Sequence, residues 1–183
     1  MSKHPNKTLR PPMGKIVGTP RFFEKLYIDF LGPYTRSRSG HIGIFIALDH
    51  FPFLKAVKKF AADVVIKYME TELFHTFGVP ETVVSDNGSQ FRSTEFKNFL
   101  DRYGVKHVFT AVHAPQANAS ERVNRSVLAA IKSYVRSDQK NWDEQLSSIS
   151  CALRSAVHSA VGTSPYYLAF GQHMITNGST YAL

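Results

Sequence analysis

Cysteine is almost missing from this chain: its 183 residues contain one, Cys151. A single thiol excludes an internal disulfide framework and any zinc site built on several cysteines. Cys151 lies in Ile149-Ser150-Cys151-Ala152-Leu153, where a buried structural thiol is expected rather than a nucleophile. No apolar run reaches the roughly eighteen residues that a membrane span needs, so no membrane partner is expected. The basic start, Met1 to Gly14, lacks the apolar centre of a secretory signal, and an intracellular, reducing compartment follows as the expectation. Glycine-rich phosphate loops, serine nucleophile elbows, repeats and low-complexity tracts are also lacking. His41, His75, His107, His113, His158 and His173 show no zinc spacing. Acidic residues are the scarcer charge, 14 against 22 Lys and Arg, for a formal net charge of +8. That balance favours a polyanionic partner.

What is present reads as one domain with a full core. Residues 1–20, with Pro5, Pro11, Pro12 and Pro20 among Lys and Arg, suggest an extended basic arm. A core is expected over 21–172 and a tail over 173–183. Strands are predicted over Phe22–Gly32, His41–Asp49 and Phe53–Lys59, with Pro52 between the last two and a basic turn at Thr35-Arg36-Ser37-Arg38-Ser39-Gly40. Asp63–Phe77 has helical spacing in Val64, Tyr68, Leu73 and Phe77, stopped by Gly78 and Pro80. A strand at Glu81–Ser85, a helix at Ser93–Tyr103, a strand at Val105–Thr110 and a loop at Ala111–Ala117 follow. Helices at Glu121–Val135 and Trp142–Ala160, and one opened by Ser164-Pro165, complete the chain. A meander followed by β-α crossovers predicts an α/β fold with a mixed five-stranded sheet flanked by helices.

Three acids stand out. Asp29 sits in Leu26-Tyr27-Ile28-Asp29-Phe30, where alternation puts Leu26, Ile28 and Phe30 on one face and Tyr27, Asp29 and Leu31 on the other. Its ordinary role would be an edge-strand Asp in solvent or a turn former before Gly32-Pro33. Asp86 follows the strand Val83-Val84-Ser85 and precedes Asn87-Gly88, a common turn sequence and also a strand end of the kind that holds ligands in open α/β sheets. Glu121 heads a helical stripe with Arg125, Leu128, Lys132 and Arg136, at about 100° per residue. A capping box from Asn118 to Glu121, or a solvated face with i,i+4 pairs, is the ordinary alternative. Together, three carboxylates from two strands and a helix start suit hard divalent cations beside a phosphate track.

The segments Tyr27-Ile28-Asp29-Phe30-Leu31-Gly32, Ser85-Asp86-Asn87-Gly88-Ser89-Gln90-Phe91, His113-Ala114-Pro115-Gln116 and Glu121-Arg122-Val123-Asn124-Arg125 resemble the catalytic core of retroviral-type integrases, specifically those of gypsy-type LTR retrotransposons. The closing Gly162-Thr163-Ser164-Pro165-Tyr166 is similar as well, so the resemblance covers roughly Phe22 to Gly171. It implies an RNase H-like fold and an acidic triad of Asp29, Asp86 and Glu121 holding two Mg²⁺ or Mn²⁺ ions. It further implies DNA integration, with retroelement ends and target DNA as partners, an endonuclease and strand-transfer activity, homo-oligomers formed through the core, and a nuclear location with the cytoplasm as a second compartment. Gln116 and Asn118 would line a loop over the site; Asn124, Arg125, Lys132 and Arg136 would contact the DNA backbone. Asp86 and Glu121 are one residue closer than is usual in the family, and Ala117-Asn118-Ala119-Ser120 lacks the usual Gly, which predicts a stiffer, earlier helix start. The family's zinc-binding and carboxy-terminal domains are not found in these residues, so a pre-branched DNA is the substrate expected to react. The rival readings are a catalytically idle nucleic-acid- or protein-binding module and a nuclease of another kind on the same scaffold.

Overall fold

The computed structural model describes residues 21–49, 51–110, 129, 133, 140–157 and 162–177. Five strands form a single sheet: β1 (Lys25–Leu31), β2 (Gly43–Leu48), β3 (Pro52–Val57), β4 (Thr82–Ser85) and β5 (Lys106–Phe109). Their spatial order is β3-β2-β1-β4-β5. β1 and β2, and β2 and β3, pair antiparallel; β4 pairs parallel to β1, and β5 parallel to β4. The expected meander and crossovers are both there. Two strands lie on each side of β1, so Asp29 is not on an edge and that ordinary reading is excluded. Pro52 does not separate two strands but opens β3, an edge strand, where a missing N–H costs least.

Alternation along β1 sends Leu26 and Ile28 into one core and Leu31 into another, as the sequence pattern predicts. The first core is covered by α1 (Ala62–Tyr68), which runs on through a π-helical stretch (Met69–Phe74) into a last turn (His75–Phe77), and by α2 (Thr94–Arg102). Its buried stripe is Ala62, Val65, Met69, Leu73 and Phe74; of the residues expected there, Val64, Tyr68 and Phe77 only flank it. Ser93 caps α2, its Oγ accepting from the Phe96 N–H at 3.1 Å. The second core is closed from far along the chain. There the expected helix from Trp142 starts as a 3₁₀ turn (Trp142–Gln145) and becomes α3 (Leu146–Ser155), ending where Ala156 turns extended. Trp142, Leu146, Ile149 and Leu153 cover Leu31, Ile44, Ile46 and Leu48. Cys151 on α3 is only partly buried, less than expected, because the stripe facing the sheet falls on its neighbours. α4 (Pro165–Phe170) begins at the predicted place, with Ser164 Oγ accepting from Tyr167 N–H at 3.2 Å.

The β1–β2 connection is pinned to the segment that begins the second cover. Trp142 Nε1 donates to the Thr35 carbonyl at 2.8 Å, and Arg38 N–H to the Lys140 carbonyl at 2.8 Å. Asp143 Oδ2 accepts from Ser37 Oγ at 2.8 Å and lies 2.6 Å from His41 Nδ1. Glycine is required at Gly43, where a Cβ would lie 2.2 Å from the Phe60 ring.

Candidate active site

The parallel pairing of β1 and β4 ends at Ile28 opposite Ser85, and the next residue on each strand is an aspartate. Asp29 and Asp86 therefore stand at one level on neighbouring strands, at the carboxyl edge of the parallel part of the sheet. Asp29 is half-buried, and its Oδ1 accepts from the Phe30 N–H at 2.7 Å. Asp86 is exposed, and its Oδ1 accepts from Gly88 N–H at 3.0 Å, the turn that Asp-Asn-Gly predicts. The turn expected of Asp86 is thus observed, at a strand end of the kind that holds ligands in open α/β sheets.

Aromatic packing holds the two acids' supports together. Phe30, next to Asp29, stacks on Phe91 with centroids 5.7 Å apart and planes at 18°. Phe91 is fully buried and anchors the loop that begins at Asp86, its N–H bonding the Gly88 carbonyl at 3.0 Å. A Cβ at Gly88 would sit 2.3 Å from the Gln90 side-chain amide, so a larger residue there would have to move that side chain. Below Asp86, the buried Ser85 hydroxyl donates to the Asp86 carbonyl at 2.8 Å and lies 2.9 Å from His107 Nε2. A hydroxyl has one proton, so the histidine nitrogen is assigned as the donor in that second bond. Burial pulls the His107 pKa below its ordinary value, which favours the neutral ring. Thr110, level with Asp86 at the end of β5, donates from N–H and Oγ1 to the Ser85 carbonyl at 2.8 and 3.2 Å.

Sequence reasoning missed Phe91 and His107. Phe91 stands inside a quoted motif as one more apolar residue. His107 follows no ligand spacing; its only signal is an imidazole in a short edge strand. Glu121, Gln116, Asn118, Asn124, Arg125, Lys132 and Arg136 lie outside the described residues, as do the loop and early-helix expectations. Asp29 and Asp86 are oxygen donors of the kind hard cations prefer, and Asp86 is open to solvent, so the pair fits a divalent ion in kind. Among the described residues no group of three or more His, Cys, Asp or Glu is placed to hold a metal.

The family model described as "Integrase core domain" matches residues 24–115, which include both aspartates. The chain belongs to the integrase core domain family. Relatives include the Tf2-3 and Tf2-4 transposon polyproteins of Schizosaccharomyces pombe, each 24% identical over 160 residues, 85% of this chain. The chain spans only 12% of the length of those polyproteins. Among solved structures, this integrase core is similar to the catalytic core domain of BIV integrase, with a TM-score of 0.62 and 18% identity over 81% of this chain and 95% of that one. The HTLV-2 integrase catalytic core in complex with magnesium gives 0.59 and 18% over 80% and 96%. A simian T-cell lymphotropic virus intasome with PP2A regulatory subunit B56 gamma gives 0.66 and 18% over 93% and 62%. The fold is accordingly the RNase H-like fold that the motifs imply, in an LTR retrotransposon-type integrase core.

Proposed function

We propose that this integrase core is a metal-dependent polynucleotidyl transferase that cuts near a DNA 3′ end and joins that end to target DNA. The observation that carries the reading is the placement of Asp29 and Asp86 side by side at the end of a parallel strand pair. Glu121 is the proposed third ligand. Thr110 ends β5 level with Asp86, so the chain that leads to Glu121 departs from the same edge of the sheet.

In this reading Asp29, Asp86 and Glu121 would together hold two Mg²⁺ or Mn²⁺ ions. When bound, such ions neutralise charge on the phosphoryl oxygens and ease both attack and departure. The protein's own part is positioning. The Phe30–Phe91 stack fixes the spacing of the two strand ends, and the Ser85–His107 pair fixes the carbonyl of Asp86. Gln116 and Asn118 would line the loop over the site, and Asn124, Arg125, Lys132 and Arg136 would hold the DNA backbone. Retroelement ends and target DNA are the proposed partners, homo-oligomers through the core the proposed assembly, and the nucleus the proposed location.

The test is a labelled branched DNA incubated with Mn²⁺ and with Asp29→Asn, Asp86→Asn or Glu121→Gln. Each substitution should lower turnover at least about 100-fold, since even outer partners of a ligand are worth 10- to 100-fold. Circular dichroism should stay that of the unsubstituted chain. Activity retained in one variant removes that residue from the site. DNA binding with no cleavage by the parent chain would favour the idle binding module.

A further inference from the structure

The basic turn of the β1–β2 connection has no part in the site as described, yet the fold gathers further cations around it. Arg36 and Arg38 are exposed on the turn. The backbone bond from Arg38 to Lys140 brings a residue more than a hundred positions away alongside. Ile42 N–H bonds the Val57 carbonyl at 2.8 Å, which places Lys58 at the same edge, and the Lys58 stem lies 3.9 Å from where a Gly40 Cβ would be. Lys58 and Lys140 are exposed too, and among the described residues none of the four is in an ion pair. The nearby acids are Asp143, whose carboxylate is engaged by His41 and Ser37, and the exposed Glu144. The turn is held by Trp142, Lys140 and Asp143 as described, so these charges are presented on a fixed support.

Register decides where this surface faces. Leu31 pairs with Ile44, and Gly43 with Val57, so the turn and the end of β3 lie at the same edge as Asp29 and Asp86. They lie on the β2–β3 side of that pair, whereas Thr110 and the chain after it leave from the β5 side. From β1 to β3 is about 10 Å at two strand spacings, close to the roughly 12 Å width of a DNA major groove. We infer that Arg36, Arg38, Lys58 and Lys140 form a phosphate-binding surface for duplex DNA, gripping the backbone across one groove from the phosphodiester at the acids. This inference rests on the proposed transferase reading for its substrate, but it concerns binding alone. Duplex is the partner that fits, because phosphates across one groove meet a rigid surface at a set spacing.

The test is fluorescence anisotropy on the full chain with EDTA present, using a labelled duplex of arbitrary sequence roughly three helical turns long. One variant carries Arg36→Ala, Arg38→Ala, Lys58→Ala and Lys140→Ala. A control of equal charge carries Lys25→Ala, Lys67→Ala, Lys97→Ala and Lys106→Ala, all exposed and away from this turn. The first variant should bind more weakly, and its log K against log salt should flatten by about 3 to 4 units, the release expected from four phosphate contacts. The control should keep most of its slope. Equal slopes in the two variants, whether both reduced or both intact, would overturn the proposal, as would an equal loss for single-stranded DNA. Thermal melts of both variants check that the fold survives. EDTA removes the metal ions from this assay, so a failed catalytic reading would show in the cleavage assay and not in this one.

Discussion

On one face of the sheet, helices α1 and α2, which follow β3 and β4, cover a core rich in phenylalanine: Phe45, Phe53, Phe74, Phe91, Phe96 and Phe99 pack there. On the other face the covering residues, Trp142, Leu146, Ile149 and Leu153, arrive from far along the chain onto mainly aliphatic strands. The first face is held by ring contacts between neighbours such as Phe74 and Phe99, stacked at 5.4 Å. The second is held in addition by directional bonds between distant residues, from Trp142 to Thr35 and from Arg154 Nε and Nη2 to the Pro52 carbonyl at 3.0 and 2.9 Å. Arg154 also lies over the Phe51 ring at 4.4 Å, and burial lowers its pKa from the ordinary value. Broad apolar area needs no exact partner, whereas a few polar clasps do. The strand carrying Asp29 is clamped between these two kinds of cover.

The largest effect should come from emptying either face. Phe45→Ala and Trp142→Ala each remove a fully buried ring and should cost about 3–5 kcal/mol in urea denaturation. They should differ in reach. Hydrogen exchange should show Phe45→Ala loosening the whole sheet, while Trp142→Ala leaves α2 protected and frees the β1–β2 turn. Equal loss of protection everywhere would mean that the faces are one cooperative unit.

A smaller loss is expected from Gly43→Ala, about 1–3 kcal/mol, because the new methyl must displace the Phe60 ring or the Leu31 carbonyl. Phe60 packs on Phe30 at 5.0 Å, so the disturbance passes to the neighbour of Asp29. Adding Phe60→Ala should make the two losses less than additive if the clash is real. Full additivity would place the strain in the backbone alone.

The polar clasp can be separated from the apolar cover by pH. Burial pushes the Asp143 carboxyl up, but the bonds from His41 and Ser37 outweigh it and hold its pKa below the ordinary value. A carboxyl depressed in the folded state stabilises the fold at neutral pH and loses that contribution as acid protonates it, below about pH 4. Asp143→Asn should cost about 1–3 kcal/mol at neutral pH by leaving buried partners poorly matched. Its stability should then fall less steeply than the parent's on acidification. Parallel acid curves would show that other carboxylates set the slope.

Much of this was legible in the residues. Alternation in β1, the Pro and Gly stops, and Ser93 and Ser164 as helix starts are local signals, and they survive folding because local and tertiary preferences agree. The central place of β1 was not legible, since strand order depends on pairing between distant segments. Trp142 read as a helix start, and nothing local says that its indole reaches Thr35. At the site, Asp29 and Asp86 could be picked from context, and the Asp86 turn from Asn87 and Gly88. The Phe30–Phe91 stack and the Ser85–His107 bond could not, because each joins residues that share no pattern until the strands are laid side by side.

The π-helical stretch at Met69–Phe74 carries a consequence for inheritance. A π turn holds about one residue more than the α turn it replaces. Val65 before it, and Met69 and Phe74 within it, all reach the same core. Losing a single codon there would return the segment to regular α geometry and leave β4, with Asp86 behind it, where it is. A one-residue deletion in this stretch is therefore expected to spare the acids, and a structure of such a variant with Asp86 displaced would show that the π turn is needed as it stands.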